Sequence, residues 1–325
     1  MGQTTHRPAP PQFAASCLAL AAALGAAAVD PAGAAQPGAG DDPASGTTAG
    51  TFTFSWAELR DDLAANASLA LGATASWTPN YAGSTTGKVQ PRPVWAFEYG
   101  KFRLSTGGGA AVLGIAQDPR GPGASAELFS GERLRAGIAF RIDRGRNSSS
   151  IDGLENLPDV EATVRARAYA SYGLTRRWTL AGAISPDLLG RGGGTVATLD
   201  VGYRTPLAPA SELYAGVGVN LASAGYVNSY YGVSEETAAA TGRPAYTAGA
   251  GVTGARAAIG FTAALTSRWI VFGGAGVTRL LGVAAASPLT QQPTAVSASL
   301  GIAYRWGARY EGLESVLLPA AKQPR

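Results

Sequence analysis

The chain has one histidine, one cysteine and one methionine, and only 15% of its 325 residues are charged. Lysine is almost missing as well: Lys88, Lys101 and Lys322 are the lysines, so arginine supplies nearly all of the 26 basic residues. Long apolar runs are also scarce. A membrane-crossing helix needs about 20 consecutive apolar residues, and the one comparable run spans only 14–29. It follows His6 and Arg7, is rich in Ala and Leu, and leads into small residues at Ala28 and at Gly33-Ala34-Ala35. This pattern is that of a secretory signal peptide over 1–35, and the Pro, Gly and Asp that follow argue against a membrane anchor. Cys17 stands before Leu18-Ala19-Leu20 and not after the apolar run, which argues against lipid attachment.

Removal of that segment would take away both His6 and Cys17. A mature chain without histidine has no base of pKa near 6.5, which excludes Ser-His-Asp chemistry. Without imidazole or thiolate, zinc-type metal hydrolysis is disfavoured and no disulfide framework exists. No cofactor is expected. The remaining catalytic idea is a pair of carboxylates, for which the loop residues Glu155, Asp159 and Glu161, or Glu235 with Glu236, are the candidates. Solvated loop acids explain them more simply. Gly192-Gly193-Gly194 is followed by a strand pattern and not by a helix, so it is a hairpin connection and not a phosphate cradle. The arginines are spread at even spacing and do not gather on one stripe, which excludes nucleic acid as a partner.

What the chain does have is alternation. From Thr294 to Trp306, Val296, Ala298, Leu300, Ile302, Tyr304 and Trp306 share one parity, against Ala295, Ser297, Ser299, Gly301, Ala303 and Arg305. Strand side chains alternate faces, so one face is apolar with aromatic tips and the other small or polar. The pattern recurs at 67–77, 134–143, 160–172, 197–203, 213–221 and 257–265. Dyad-patterned segments of about ten residues are the signature of an all-β, closed antiparallel transmembrane β-barrel. Eleven candidate strands cover about 66–78, 88–99, 101–116, 133–143, 159–173, 177–187, 194–205, 211–224, 254–265, 268–281 and 294–306. Bacterial barrels have an even count, so one strand is merged or missed; Gly107-Gly108-Gly109 marks the suspect segment, and the estimate is about 12, in a range of about 10–14. The barrel is assigned to 66–306, with 36–65 a disordered leader or short N-terminal segment and 307–325 a C-terminal tail.

On the inward parity or beside it lie Arg133, Arg135, Arg165, Arg167, Arg204 and Arg256, opposed by Glu161 and Asp200. Cross-lumen ion pairs that fill the barrel, or an arginine-lined anion path, would both use this set. Aromatics at strand ends, among them Trp77, Tyr172, Trp178, Tyr203, Trp269, Tyr304 and Trp306, suit the membrane interfaces and imply contact with outer-membrane lipids. Tyr226, Tyr230, Tyr231 and Tyr246 sit on the longest loop, where they either pack over the barrel mouth or offer a sugar platform.

The segment GYVNSYYGVSEETAAATGRPAYTAGAGV at 225–252, with LLGVAAASPLTQQ at 280–292 and the final GIAYRW, resembles the MipA/OmpV family of outer-membrane proteins, named from MltA-interacting protein. Tyr230, Tyr231, Gly232, Val233, Gly242 and Tyr246 are the motif positions. SWTPNYAGS at 76–84, EYGKFRL at 98–104 and GLENLPDVEATV at 153–164 also fit, so the resemblance covers 66–306. Val283 and Ala286 stand where the family is usually aspartate-rich, and residues 307–325 follow the usual terminal aromatic.

The resemblance implies a non-catalytic scaffold in the Gram-negative outer membrane that docks a lytic transglycosylase and a penicillin-binding protein, coupling murein cutting to murein synthesis. The periplasmic turns near 174–177 and 205–210 and the tail would be the docking surface. A narrow solute pore and a surface adhesin built on the 227–253 loop are the alternatives.

Overall fold

The computed structural model describes residues 62–63, 66–107, 119–151, 154 and 156–306. The expected signal peptide, nearly all of the leader, and the tail lie outside the described residues.

Twelve antiparallel strands close on themselves: β1 (Ala67–Pro79), β2 (Gly87–Tyr99), β3 (Phe102–Ser105), β4 (Gly123–Ser130), β5 (Leu134–Asp143), β6 (Thr163–Gly173), β7 (Trp178–Pro186), β8 (Thr195–Ala208), β9 (Ser211–Ala222), β10 (Gly251–Ala264), β11 (Trp269–Leu280) and β12 (Thr294–Trp306). Each strand pairs with its sequence neighbours, and β1 pairs with β12 from Leu69↔Trp306 to Trp77↔Ala298. Closure gives every strand two hydrogen-bonded neighbours and leaves the sheet no edge strand, as a sheet in lipid requires.

Alternation sets the two surfaces. In β1, Leu71 and Trp77 face outward and are exposed, while Ala70, Thr74 and Ser76 are buried in the lumen. In β12, Val296, Leu300, Ile302 and Trp306 form the outer face and Ala303 the inner one. The exposed apolar residues are the lipid-facing band of a membrane barrel, not a soluble protein's defect.

The missed strand is located. The described part of the segment expected to form one strand over 101–116 contributes β3, Phe102–Ser105, and the additional strand is β4, outside that suspect segment at Gly123–Ser130. A bulge hides β4 from a period-two reading. Its register slips between Glu127 and Phe129, so Leu128 and Phe129 are both exposed. One extra residue flips the parity of everything after it.

Tight connections, including 100–101, 131–133, 174–177, 209–210 and 265–268, gather at one end, and the long connections at the other. Short turns mark the periplasmic end of such barrels. The longest connection, between β9 and β10, carries α1 (Ala224–Tyr231) and α2 (Glu235–Thr241), and that between β11 and β12 carries α3 (Gly282–Ala285). No described helix is long and apolar enough to cross a membrane.

Candidate functional site: a packed cap over a charged lumen

The long connections fold onto one another. Ser223 caps α1 by accepting the amide of Tyr226, and Ser234 caps α2 by accepting that of Thr237. Such side-chain caps satisfy amides that a short helix leaves unpaired. Gly242 ends α2 in the left-handed conformation (φ 70°), which glycine adopts without strain.

Two apolar clusters then form. Val227 and Tyr231 of α1 pack with Ala222, Leu280 and Ala284. Val233 packs with Leu154, Leu157 and Leu289, with Tyr81, Ile151, Ala238 and Tyr246 against them, so four connections share one core. Hydrogen bonds tie these pieces: Val233 and Tyr246 exchange backbone bonds of 2.9 and 2.8 Å, and the Tyr246 hydroxyl donates to the Val283 carbonyl at 2.6 Å. Ser287 donates to the Tyr231 carbonyl at 2.6 Å. The Asn228 amide both donates to and accepts from the Ala248 backbone, each at 3.0 Å. Arg146 donates to the Tyr230 carbonyl at 2.7 Å. Gly232 is required by closeness, since a Cβ there would meet the Asn228 carbonyl at 2.4 Å.

The six motif positions therefore meet in one cap. Tyr230 stacks on Tyr226 with ring centres 4.5 Å apart, and its hydroxyl donates to Asp143 at 3.3 Å. Burial, then the Asp143 charge, pushes the Tyr230 phenol up to about 12. Burial raises the Tyr231 phenol too and lowers the Arg146 guanidinium.

Beneath the cap the lumen is charged on one side. Arg165 has no exposed side-chain surface. Its Nε donates to Asp143 Oδ2 at 2.6 Å, and its two terminal nitrogens donate to the carbonyls of Gly193 (2.6 Å), Gly194 (3.0 Å) and Ser185 (3.3 Å). The guanidinium also lies 5.4 Å from the centre of the Tyr226 ring. Arg165 thus links the barrel wall, the β7–β8 connection and the cap. Arg167 donates to the Pro119 carbonyl at 2.7 Å, and to Ser185 and Thr198, both at 3.3 Å.

Further charges pair inside. Arg135 binds Glu127 at 2.6 Å, Arg103 and Arg120 both approach Glu98 at 3.7 Å, and Arg256 binds Asp200. Arg204 faces Glu212, whose carboxylate is buried with neither oxygen hydrogen-bonded. On β1, β2, β11 and β12, Ala70, Val94, Ala96, Phe272 and Ala303 make an apolar cluster on the inner face.

Arg135, Arg165, Arg167, Asp200, Arg204 and Arg256 thus point inward. Arg133 lies instead in the β4–β5 turn and is exposed. Glu161 precedes β6 in a connection, 3.7 Å from Arg191, with both side chains exposed. The acids Glu98, Glu127 and Glu212 escaped sequence reasoning; the inward parity of Glu98 and Glu212 was available as a signal, whereas Glu127 lies on the bulged strand β4, whose period is broken. Asp159 accepts the Ser148 amide at 2.7 Å, a structural use of that loop acid; Glu155 lies outside the described residues. Among the described residues no group of three or more His, Cys, Asp or Glu could hold a metal ion.

The cap motif and the closed twelve-strand wall invite comparison with known proteins. A family profile described as MltA-interacting protein MipA matches residues 71–306, which spans the barrel from β1 to the end of β12. The chain belongs to the MipA family. No curated protein matches it. Among solved structures, this MipA-family barrel is similar to outer-membrane OmpT of Vibrio cholerae at 10% identity, covering 74% of this chain and 97% of that one, with a TM-score of 0.35. The toluene transporter TbuX of Ralstonia pickettii matches at 10% identity, covering 75% and 90%, with a TM-score of 0.30. The NanC porin matches at 6% identity, covering 73% and 98%, with a TM-score of 0.35. Likeness at this level carries no argument about what the MipA-family barrel transports or binds.

Proposed function

We propose that this MipA-family protein is a closed outer-membrane barrel that acts as a non-catalytic anchor and docking scaffold for murein enzymes. The observation that carries the reading is the cap: four connections share an apolar core over the mouth, and Arg165, bonded to Asp143 and the Gly193 carbonyl and lying against the Tyr226 ring, ties the neighbouring α1 cluster to the barrel wall. A conducting pore keeps its mouth open and hydrated, whereas a packed lid and cross-lumen ion pairs suit a rigid body whose work is done by its rim. The family's name supports a lytic transglycosylase as one partner, with a murein synthase of the penicillin-binding type as the other. The tight turns at 174–177 and 209–210 are the surface offered to them, with the C-terminal tail.

Cross-linking of the tagged protein in intact envelopes, followed by mass spectrometry, tests this. Enrichment of a lytic transglycosylase and a penicillin-binding protein over another abundant barrel is expected. Their absence, with cross-linking shown to work on known envelope pairs, would sink the scaffold.

A narrow anion path is the second reading. Lys88 and Arg92 favour it, because both lie on the inward parity of β2 near the outer end and are exposed. It requires stepwise conductance in planar bilayers, with an anion preference that falls in R92Q.

A further inference from the structure

Two turns at the periplasmic rim are built alike. Leu174-Thr175-Arg176-Arg177-Trp178 joins β6 to β7, and Leu265-Thr266-Ser267-Arg268-Trp269 joins β10 to β11. In each, the Leu amide donates to the Trp carbonyl, at 2.9 and 2.8 Å. The Thr hydroxyl in each accepts the amides of Arg (3.2 Å) and Trp (3.0 Å). The Arg carbonyl in each accepts an amide of the following strand pair, from Arg204 at 3.0 Å and Arg305 at 2.9 Å.

This shared frame presents the same three side chains. Trp178 pairs in register with Tyr203, and Trp269 with Tyr304. Both pairs lie on the outward face, with ring centres 4.9 and 5.1 Å apart. Arg177 donates to the Tyr203 hydroxyl at 3.4 Å and Arg268 to the Tyr304 hydroxyl at 2.8 Å. Neither guanidinium is paired with a carboxylate among the described residues. An Arg side chain has five N–H donors, so a tyrosine bond leaves most of them free. They sit where outward-facing aromatics meet the aqueous rim.

We propose that these two Arg-Trp-Tyr clamps are binding sites for the headgroup of an anionic phospholipid. The guanidinium fork matches a phosphate in two-point geometry, and the aromatic pair beside it takes the glycerol backbone and first acyl carbons. Charge complementarity selects the lipid: each clamp offers a cation that pairs with no carboxylate among the described residues. The inference goes beyond the scaffold reading and holds whether or not an enzyme docks below the turns.

Native mass spectrometry of the full-length protein, extracted in detergent and titrated with phosphatidylglycerol, tests it. Two retained lipids are expected on the unaltered protein, and R177Q and R268Q should each weaken one of them about tenfold. The double variant should lose both, while R133Q, in a turn without the aromatic pair, should keep both. Heat-dependent gel mobility checks that each barrel is folded, and the single variants carry the test if the double variant does not fold. Wild-type retention in both single variants or in the double variant, or equal loss in R133Q, overturns the assignment.

Discussion

Arg256 of β10 reaches across the whole width of β9 to bind Asp200 of β8, and the residue it crosses is Gly218. Gly218 is the register partner of both, so the three lie in one row across the wall. A Cβ at Gly218 would fall 2.0 Å from Asp200 Oδ1. The missing side chain is therefore what allows an ion pair to lie flat on the sheet. Tyr214 over Gly260, Tyr169 over Gly137 and Phe272 over Gly301 repeat the device with aromatics. It is a way to fill a barrel of this size without pushing its wall outward.

Gly218→Ala should accordingly displace Asp200 and lower stability by about 1–3 kcal/mol. The urea midpoint of the barrel refolded in detergent reads this. A midpoint equal to wild type would mean that the pair rearranges freely and is not held by the glycine.

Arg165→Met should be more severe. It removes the cation from Asp143 and takes the guanidinium donor away from the carbonyls of Ser185 in β7 and of Gly193 and Gly194 in the β7–β8 connection. Breaking a buried pair from one side costs roughly 3–5 kcal/mol. The loss should be local as well as global: amide exchange should rise first at 187–195 and 224–231. Uniform exchange throughout the barrel would contradict the assigned role of Arg165 as the tie between wall and cap.

Raising the pH should loosen the cap. The Tyr230 phenol sits near about 12 in the folded protein because of burial and Asp143, against about 10 in an unfolded chain. A raised folded value means that the neutral phenol is favoured in the cap. The stability it contributes is complete below pH about 10 and is lost as pH rises toward about 12. Tyrosinate absorbance, compared between wild type and Y230F, should show this window, and cap proteolysis should follow it in wild type. Ionisation of Tyr230 at the ordinary value would refute the buried placement.

Replacing 225–250 by a short Gly-Ser linker should uncover the lumen. Stepwise bilayer conductance is expected from that variant and not from the intact protein. Conductance of equal size in both would favour the anion path over the closed anchor.

Much of this molecule was legible without coordinates. Strict alternation in β12, β6 and β1 is itself the barrel wall, because a period of two leaves a strand no choice about which residues meet lipid. The scarcity of histidine, cysteine and lysine likewise limited the chemistry before any fold was known. β4 was not legible, since its bulge erases the very period that reveals a strand.

Tertiary structure decided which charges meet. Parity places Arg165 and Asp143 inward but does not pair them; their diagonal position on β6 and β5 does, together with the β7–β8 connection folding over them. It also decided that Tyr226, Tyr230 and Tyr231 pack into the cap. Loops carry no period, so their mutual packing follows from where the barrel holds their ends. Local order in this chain is written in alternation, whereas the lid and the ion pairs come from closure, which brings distant strands to fixed positions.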